Sequence, residues 1–162
     1  GSQNIGVKEA GVYDIYFDLE NTTVYLMQAG KTPDQAGEAE TEYVDGSTLV
    51  VGLSGKFAGV EYWVDPADDR LAAFKTKNIT DEATHAGTYT YEIASFTMTS
   101  GDEFKVRVNG AWIGAAEGAT VEGLAVSGEG NFIAGESGTY KVAISFDWDG
   151  LTQTNVKATF SK

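Results

Sequence analysis

Large apolar side chains recur at every second position in several short stretches of this chain. Val12-Tyr13-Asp14-Ile15-Tyr16-Phe17 and Thr88-Tyr89-Thr90-Tyr91-Glu92-Ile93 both alternate in this way. In Glu103-Phe104-Lys105-Val106-Arg107-Val108, the apolar residues Phe104, Val106 and Val108 share one face. Glu103, Lys105 and Arg107 share the other. Tyr140-Lys141-Val142-Ala143-Ile144-Ser145-Phe146 follows the same rule. A period of two predicts half-buried β-strands. Further strands are predicted over Thr22–Met27, Thr48–Leu53, Gly59–Val64, Leu71–Lys77, Val121–Val126 and Thr152–Phe160. Turn residues separate them: Glu20-Asn21, Ser54-Gly55, Ser100-Gly101-Asp102, Asn109-Gly110, Ser127-Gly128-Glu129-Gly130 and Asp149-Gly150. Asn109-Gly110 and Asp149-Gly150 suit tight hairpins, because both residues of each pair tolerate positive φ. No stretch carries a sustained helical period with caps. The pattern predicts an all-β protein, an antiparallel β-sandwich of the immunoglobulin-like or carbohydrate-binding-module-like kind.

The strands fall into blocks. Asn4-Ile5, Gly11 and Tyr13 recur at one constant spacing as Asn131-Phe132, Gly138 and Tyr140. Phe17-Asp18 then answers to Phe146-Asp147 after two extra residues, and a Thr-rich strand follows each copy. Either β-hairpins merely resemble one another, or a repeat is present whose first copy is truncated. The expected organisation is an N-terminal hairpin over 1–30, an acidic linker over 31–45 and a sandwich over 46–162. The hairpin either ends a preceding repeat or packs on the main domain. A two-stranded hairpin alone is marginal in water, so it should pack on something.

Composition narrows the function. Of 162 residues, 42% are apolar, enough for a core. Eleven Lys and Arg against 24 Asp and Glu give a net charge of −13, which opposes binding to phosphate backbones. Nucleic acid is therefore not an expected partner. No apolar run is long enough for a membrane helix. There is no cysteine, so disulfides, thiolate nucleophiles and Cys-ligated zinc are excluded. The single histidine, His85, lies in a predicted loop without a Gly-x-Ser-x-Gly elbow, and reads as a surface residue rather than a catalytic base. Gly128-Glu129-Gly130 has no following Gly-Lys-Ser/Thr and is not a phosphate loop. Asp65, Asp68 and Asp69 are an acidic cluster, but their spacing lacks the calcium-loop ladder. Glycoside hydrolysis needs two facing carboxylates, and no segment singles out such a pair. The expectation is a protein without enzymatic activity, cofactor or metal.

Three segments carry a family resemblance: Gly101-Asp102-Glu103-Phe104-Lys105-Val106-Arg107, then Asn109-Gly110-Ala111-Trp112, then Asn131-Phe132 leading to Gly138-Thr139-Tyr140. Their order resembles the repeated β-sandwich modules of SusE/SusF-type outer-membrane lipoproteins. The resemblance covers about 47–160 plus the N-terminal echo. It implies an exported, surface-anchored protein that binds starch-like or other glycans beside a SusC/SusD-like import complex. It also implies that the basic strand bearing Lys105 and Arg107 lies near the ligand.

Glycan recognition needs flat aromatic faces for sugar C–H surfaces and directional polar groups for hydroxyls. The candidates are Trp112, Lys105, Arg107, Asn109, Trp63 and Trp148. Trp112 follows the Asn109-Gly110 turn and is either a ligand platform or a core plug. Trp63 alternates with Tyr62, so one of the two faces out, and the pattern favours burial of Trp63. Trp148 sits at a hairpin tip between Asp147 and Asp149, either exposed or stapling the turn. Lys105 and Arg107 either form cross-strand ion pairs on a solvated face or line a groove beside Trp112. Lys75 and Asn78 are weaker candidates. The alternative to glycan binding is a structural spacer or adhesin module with no ligand of its own.

Overall fold

The computed structural model describes residues 10–20, 22–30, 41–127 and 129–162. Asn4, Ile5, Asn21, Gly128 and most of the expected linker, including Pro33 and Gly37, lie outside them. The chain divides into two compact units between Glu42 and Tyr43.

The first unit contains one antiparallel hairpin, β1 (Tyr13–Asp18) with β2 (Thr23–Gln28). Ile15 pairs with Leu26 and Phe17 with Val24, so these four share a face. The second unit is a β-sandwich. One sheet contains β3 (Val51–Phe57), β4 (Val60–Tyr62), β7 (Glu103–Val108), β8 (Ala111–Ile113), β10 (Ala125–Val126) and β11 (Phe132–Ile133). Its order is β10-β11-β7-β3-β4, with β8 paired to the second half of β7. The other sheet runs β5 (Ala73–Asp81), β6 (Ala86–Met98), β12 (Gly138–Trp148), β13 (Gln153–Ser161) and β9 (Thr120–Glu122).

The inner faces follow from the alternation. Phe104, Val106 and Val108 of β7 are fully buried, as are Val142, Ile144 and Phe146 of β12. Aromatic contacts knit the sheets together. Phe104 lies 5.5 Å from Phe160, and Phe57 meets Phe96 edge-on at 5.3 Å. This aromatic seam joins β3 and β7 of one sheet to β6 and β13 of the other.

Three sequence expectations change. Ser54-Gly55, expected as a turn, lies inside β3, where it pairs with Lys105 and Phe104 of β7. The strand expected over Val121–Val126 is two strands in different sheets. Gly123, at φ 90°, turns the chain between β9 and β10, and a Cβ there would sit 2.8 Å from the Phe160 carbonyl oxygen. The sandwich is also not purely antiparallel, because β9 runs parallel to β13.

The main unit begins at Tyr43, a few residues earlier than expected. Val44 explains why. Its N–H donates to the Gly150 carbonyl, and its carbonyl accepts from the Trp148 indole N–H at 2.7 Å. Asp45 follows, accepting from the Ser47 N–H to start a short 3₁₀ turn at Gly46–Thr48. The Tyr91 hydroxyl donates to the Gly46 carbonyl, and burial pushes that phenol up to about 12. Lys77 Nζ reaches Asp45 at 2.7 Å. This bond, with the Ser47 N–H, holds the Asp45 carboxyl well below its ordinary value of 3.8, and Asp45 in turn raises Lys77. A depressed carboxylate contributes stability that is complete above 3.8 and is lost as pH falls toward its folded value. The raised lysine contributes below 10.5 and loses that contribution as pH rises through its folded value. Asp45→Asn should therefore destabilise at neutral pH. The gap to the parent should close below pH 3.8, as read by urea unfolding midpoints across the acid range.

Candidate functional site

The first sheet presents an outer face opposite its aromatic core. β7 supplies Glu103, Lys105 and Arg107 to it, as the alternation predicts. In register across the sheet, Arg107 lies between Gly52 of β3 and Trp112 of β8. The β7–β8 turn fixes that pairing. Asn109 and Gly110 adopt φ of 46° and 87°, the positive values a two-residue hairpin requires. Asn109 itself is exposed, and its N–H donates to the Val50 carbonyl. Its role in the structure is that of a turn residue.

Gly52 decides what happens on the other side of Arg107. A Cβ at Gly52 would lie 2.6 Å from the Arg70 carbonyl oxygen and 2.9 Å from the Pro66 Cβ. The segment after β4 therefore folds down onto the bare backbone of β3. That placement brings the Asp65 carboxylate onto Arg107 Nη2 and sets Trp63 beside Trp112. Gly52→Ala should push this segment off the sheet and cost about 1–3 kcal/mol. Thermal unfolding would show a lower Tm, and the Trp63 fluorescence environment would change. An unchanged Tm would mean that the segment yields freely.

The resulting arrangement is an aromatic and charged cluster. The Trp63 and Trp112 ring centres are 6.1 Å apart, with planes inclined at 44°. The Arg107 guanidinium carbon sits 3.9 Å from the centre of the Trp112 ring, within cation–π range. Arg107 is only 5% exposed, whereas its partner Asp65 has a side chain 83% exposed. Arg107 Nε and Nη1 are buried without a hydrogen-bond partner among the described residues, and so is the Ser54 hydroxyl on the neighbouring pair of β3. Buried polar groups are normally satisfied, so this concentration of unmet capacity marks the face.

Lys105 occupies the next position along β7. Its ammonium bonds both Glu117 carboxylate oxygens, at 2.7 and 2.9 Å. Glu117 also accepts from the Gly114 N–H, and these bonds, the lysine's first, lower its carboxyl below its usual range. Lys105 and Arg107 are thus each paired with a carboxylate. Beyond Trp112 lies a hollow of about 280 Å³, lined by Trp112, Glu117 and Gly118 on one side and by Gln153, Thr154 and Asn155 on the other.

Trp112, Lys105, Arg107 and Trp63 therefore come together, and Trp148 does not join them. Trp148 is 4% exposed and belongs to the core, where its indole staples the β12–β13 hairpin to Val44. Burial removes it as a ligand platform. Trp63, expected to be buried, is 39% exposed, because β4 stops at Tyr62 and leaves Trp63 in the crossing segment. Tyr62 is also half-exposed and carries the Arg70 guanidinium over its ring at 4.0 Å. Lys75 and Asn78 are on β5 in the other sheet, away from this face. Sequence reasoning read Asp65 only as part of an acidic loop and Ser54 as a turn residue, and gave Gly52 no role at the site. Only the Gly-to-Arg pairing across the sheet reveals them, and a linear pattern does not encode that register.

Among the described residues, no three His, Asp or Glu side chains gather as metal ligands. His85 is partly buried in the β5–β6 loop, where its carbonyl accepts from the Tyr89 hydroxyl. Comparison with family models, with curated proteins and with solved structures returned no match. The reading of the site therefore rests on its own geometry.

Proposed function

We propose that the chain is a non-catalytic glycan-binding module, acting at a bacterial cell surface in support of glycan uptake. The observation that carries this reading is the face built from Trp63, Trp112 and Arg107. Two adjacent, partly exposed indoles give apolar planes for sugar C–H surfaces. A buried guanidinium beneath one of them holds that ring in place. The exposed Asp65 carboxylate offers acceptor capacity for paired hydroxyls. The cell-surface setting comes from the SusE/SusF-like order of motifs and extends to a SusC/SusD-like partner complex.

The neutralised pairs Arg107–Asp65 and Lys105–Glu117 favour an uncharged glycan over an anionic one.

The test is intrinsic tryptophan fluorescence titrated with soluble neutral oligosaccharides of α and β linkage, with affinity electrophoresis on polysaccharides in parallel. A saturable shift that disappears in Trp112→Ala supports the module's binding role. Silence in both assays would leave a structural spacer as the better description.

A further inference from the structure

We propose that Arg70 heads a second binding site, a hollow that takes a small carboxylate ligand with a flat body of one ring. The inference does not rest on the glycan reading. The hollow shares no lining residue with the Trp63, Trp112 and Arg107 face.

Its position follows from where the sheets end. β5 pairs with β6 only from Ala86 to Glu92. The second half of β6, from Ile93 to Met98, is therefore unpaired on that side among the described residues. In the facing sheet, β4 is the last strand. Phe57 of β3 and Phe96 of β6 meet edge-on at 5.3 Å across the sandwich. Beside them lies a hollow of about 280 Å³, lined by Phe57, Val60, Tyr62, Arg70, Phe96 and Thr97. The chain crosses from β4 to β5 here, and the short 3₁₀ turn Asp68–Arg70 delivers the arginine.

Arg70 is 5% exposed. Its guanidinium carbon lies 4.0 Å from the centre of the Tyr62 ring and 5.1 Å from that of Phe57. These rings attract the cation but accept no in-plane hydrogen bond from it. Arg70 Nε is buried without a hydrogen-bond partner among the described residues. Asp69 Oδ1 stands 3.7 Å from Nε, near enough for charge attraction but beyond hydrogen-bond reach. Arg107 makes the contrast plain: equally buried, it has the Asp65 carboxylate in hydrogen-bond contact. A buried charge costs free energy unless a hydrogen-bonded counter-charge accompanies it. Arg70 lacks that counter-charge in a chain holding 24 acidic residues against 11 basic ones.

A ligand carboxylate supplies it. It accepts from the planar guanidinium in a fork, and such charge-assisted bonds are about twice as strong as neutral ones. Phe57, Val60, Tyr62 and Phe96 suit a ring with apolar faces, and Thr97 offers a hydroxyl. The volume suits one ring rather than a polymer. A phosphate would bring a second charge that these walls cannot pair. Asp69 also borders the hollow, but its side chain is 78% exposed, so water and salt screen its repulsion. An aromatic acid and an acidic sugar both meet this description.

Proton–nitrogen correlation spectra of the protein, titrated with benzoate and with glucuronate, test the site. Either acid should shift the Val60, Arg70 and Thr97 amides saturably, at least about tenfold more tightly than its neutral counterpart, benzamide or glucose. Saturation by benzoate alone identifies an aromatic acid, and by glucuronate alone an acidic sugar. Arg70→Lys keeps the charge but loses the fork, and should weaken binding at least about tenfold. Because Arg70 also packs on Tyr62, a second variant guards against misfolding. Val60→Trp, at a position 51% exposed, adds bulk to the hollow, keeps Arg70, and should abolish the shifts. Absence of saturable shifts with both acids would overturn the proposal. So would equal binding of the neutral compounds or of inorganic phosphate, unchanged binding by folded Arg70→Lys, or binding that survives Val60→Trp.

Discussion

Trp148→Ala is expected to destabilise the main unit by about 3–5 kcal/mol, the range for removing a buried aromatic side chain. Three observations set that size. The ring is almost fully buried, so its loss leaves a cavity in the core. The indole N–H donates to Val44, so the Val44 carbonyl loses its donor. Val44 also donates to Gly150, so the same contact ties the entry of the unit to the β12–β13 turn. Trp148→Phe separates these effects. It keeps most of the apolar volume and drops the donor, and should cost less than the alanine variant. Urea unfolding followed by far-UV circular dichroism reads both. A cost below about 1 kcal/mol for Trp148→Ala would show that the site collapses around the missing ring.

Trp112→Ala should have the largest effect on ligand binding. A stacked aromatic at the centre of a site behaves as a hot spot, and truncating one costs about 2 kcal/mol or more, more than about 30-fold in Kd. Its effect on folding should be smaller than that of Trp148→Ala, because Trp112 is only partly buried and its removal opens Arg107 to water. The cation–π contact it forfeits is worth roughly 0.5–2 kcal/mol. Binding and stability should therefore separate: Trp112 variants lose affinity with a modest fall in Tm, while Trp148→Ala loses stability. Acrylamide quenching supports the same division. Trp63 and Trp112 should be quenched readily and shielded by bound oligosaccharide, and Trp148 should resist quenching throughout. Unchanged affinity of Trp112→Ala for a glycan that binds the parent would move the site elsewhere on the surface.

The crossing segment Trp63–Pro66 connects these two experiments to the fold. It is held by what β3 lacks, a side chain at Gly52, and by a charge from β7, Arg107. Its aromatic member, Trp63, is therefore only as well placed as that seat. Weakening the seat should lower both affinity and stability, whereas truncating Trp112 should lower chiefly affinity.

The sequence by itself determined the all-β class, the alternation of β7 and β12, and the Asn109-Gly110 turn. These are local matters: period-two patterning and positive-φ tolerance act within a few residues. It also brought Trp112, Lys105 and Arg107 into one neighbourhood, because a strand face and the hairpin that follows it are adjacent by construction of the chain. Tertiary structure alone decided the rest. The Val121–Val126 stretch split between two sheets, since Gly123 bends the backbone where the Phe160 carbonyl leaves no room for a side chain. Trp148 is legible in part, since it continues the period-two buried face of Tyr140, Val142, Ile144 and Phe146; tertiary structure added the Val44 carbonyl, more than a hundred residues away, that accepts its indole N–H. Trp63 and Asp65 reached the site because Gly52 lies opposite Arg107 across the sheet. Contacts of that kind depend on strand register between distant segments, and register is set by the packing of the whole sandwich rather than by any local pattern.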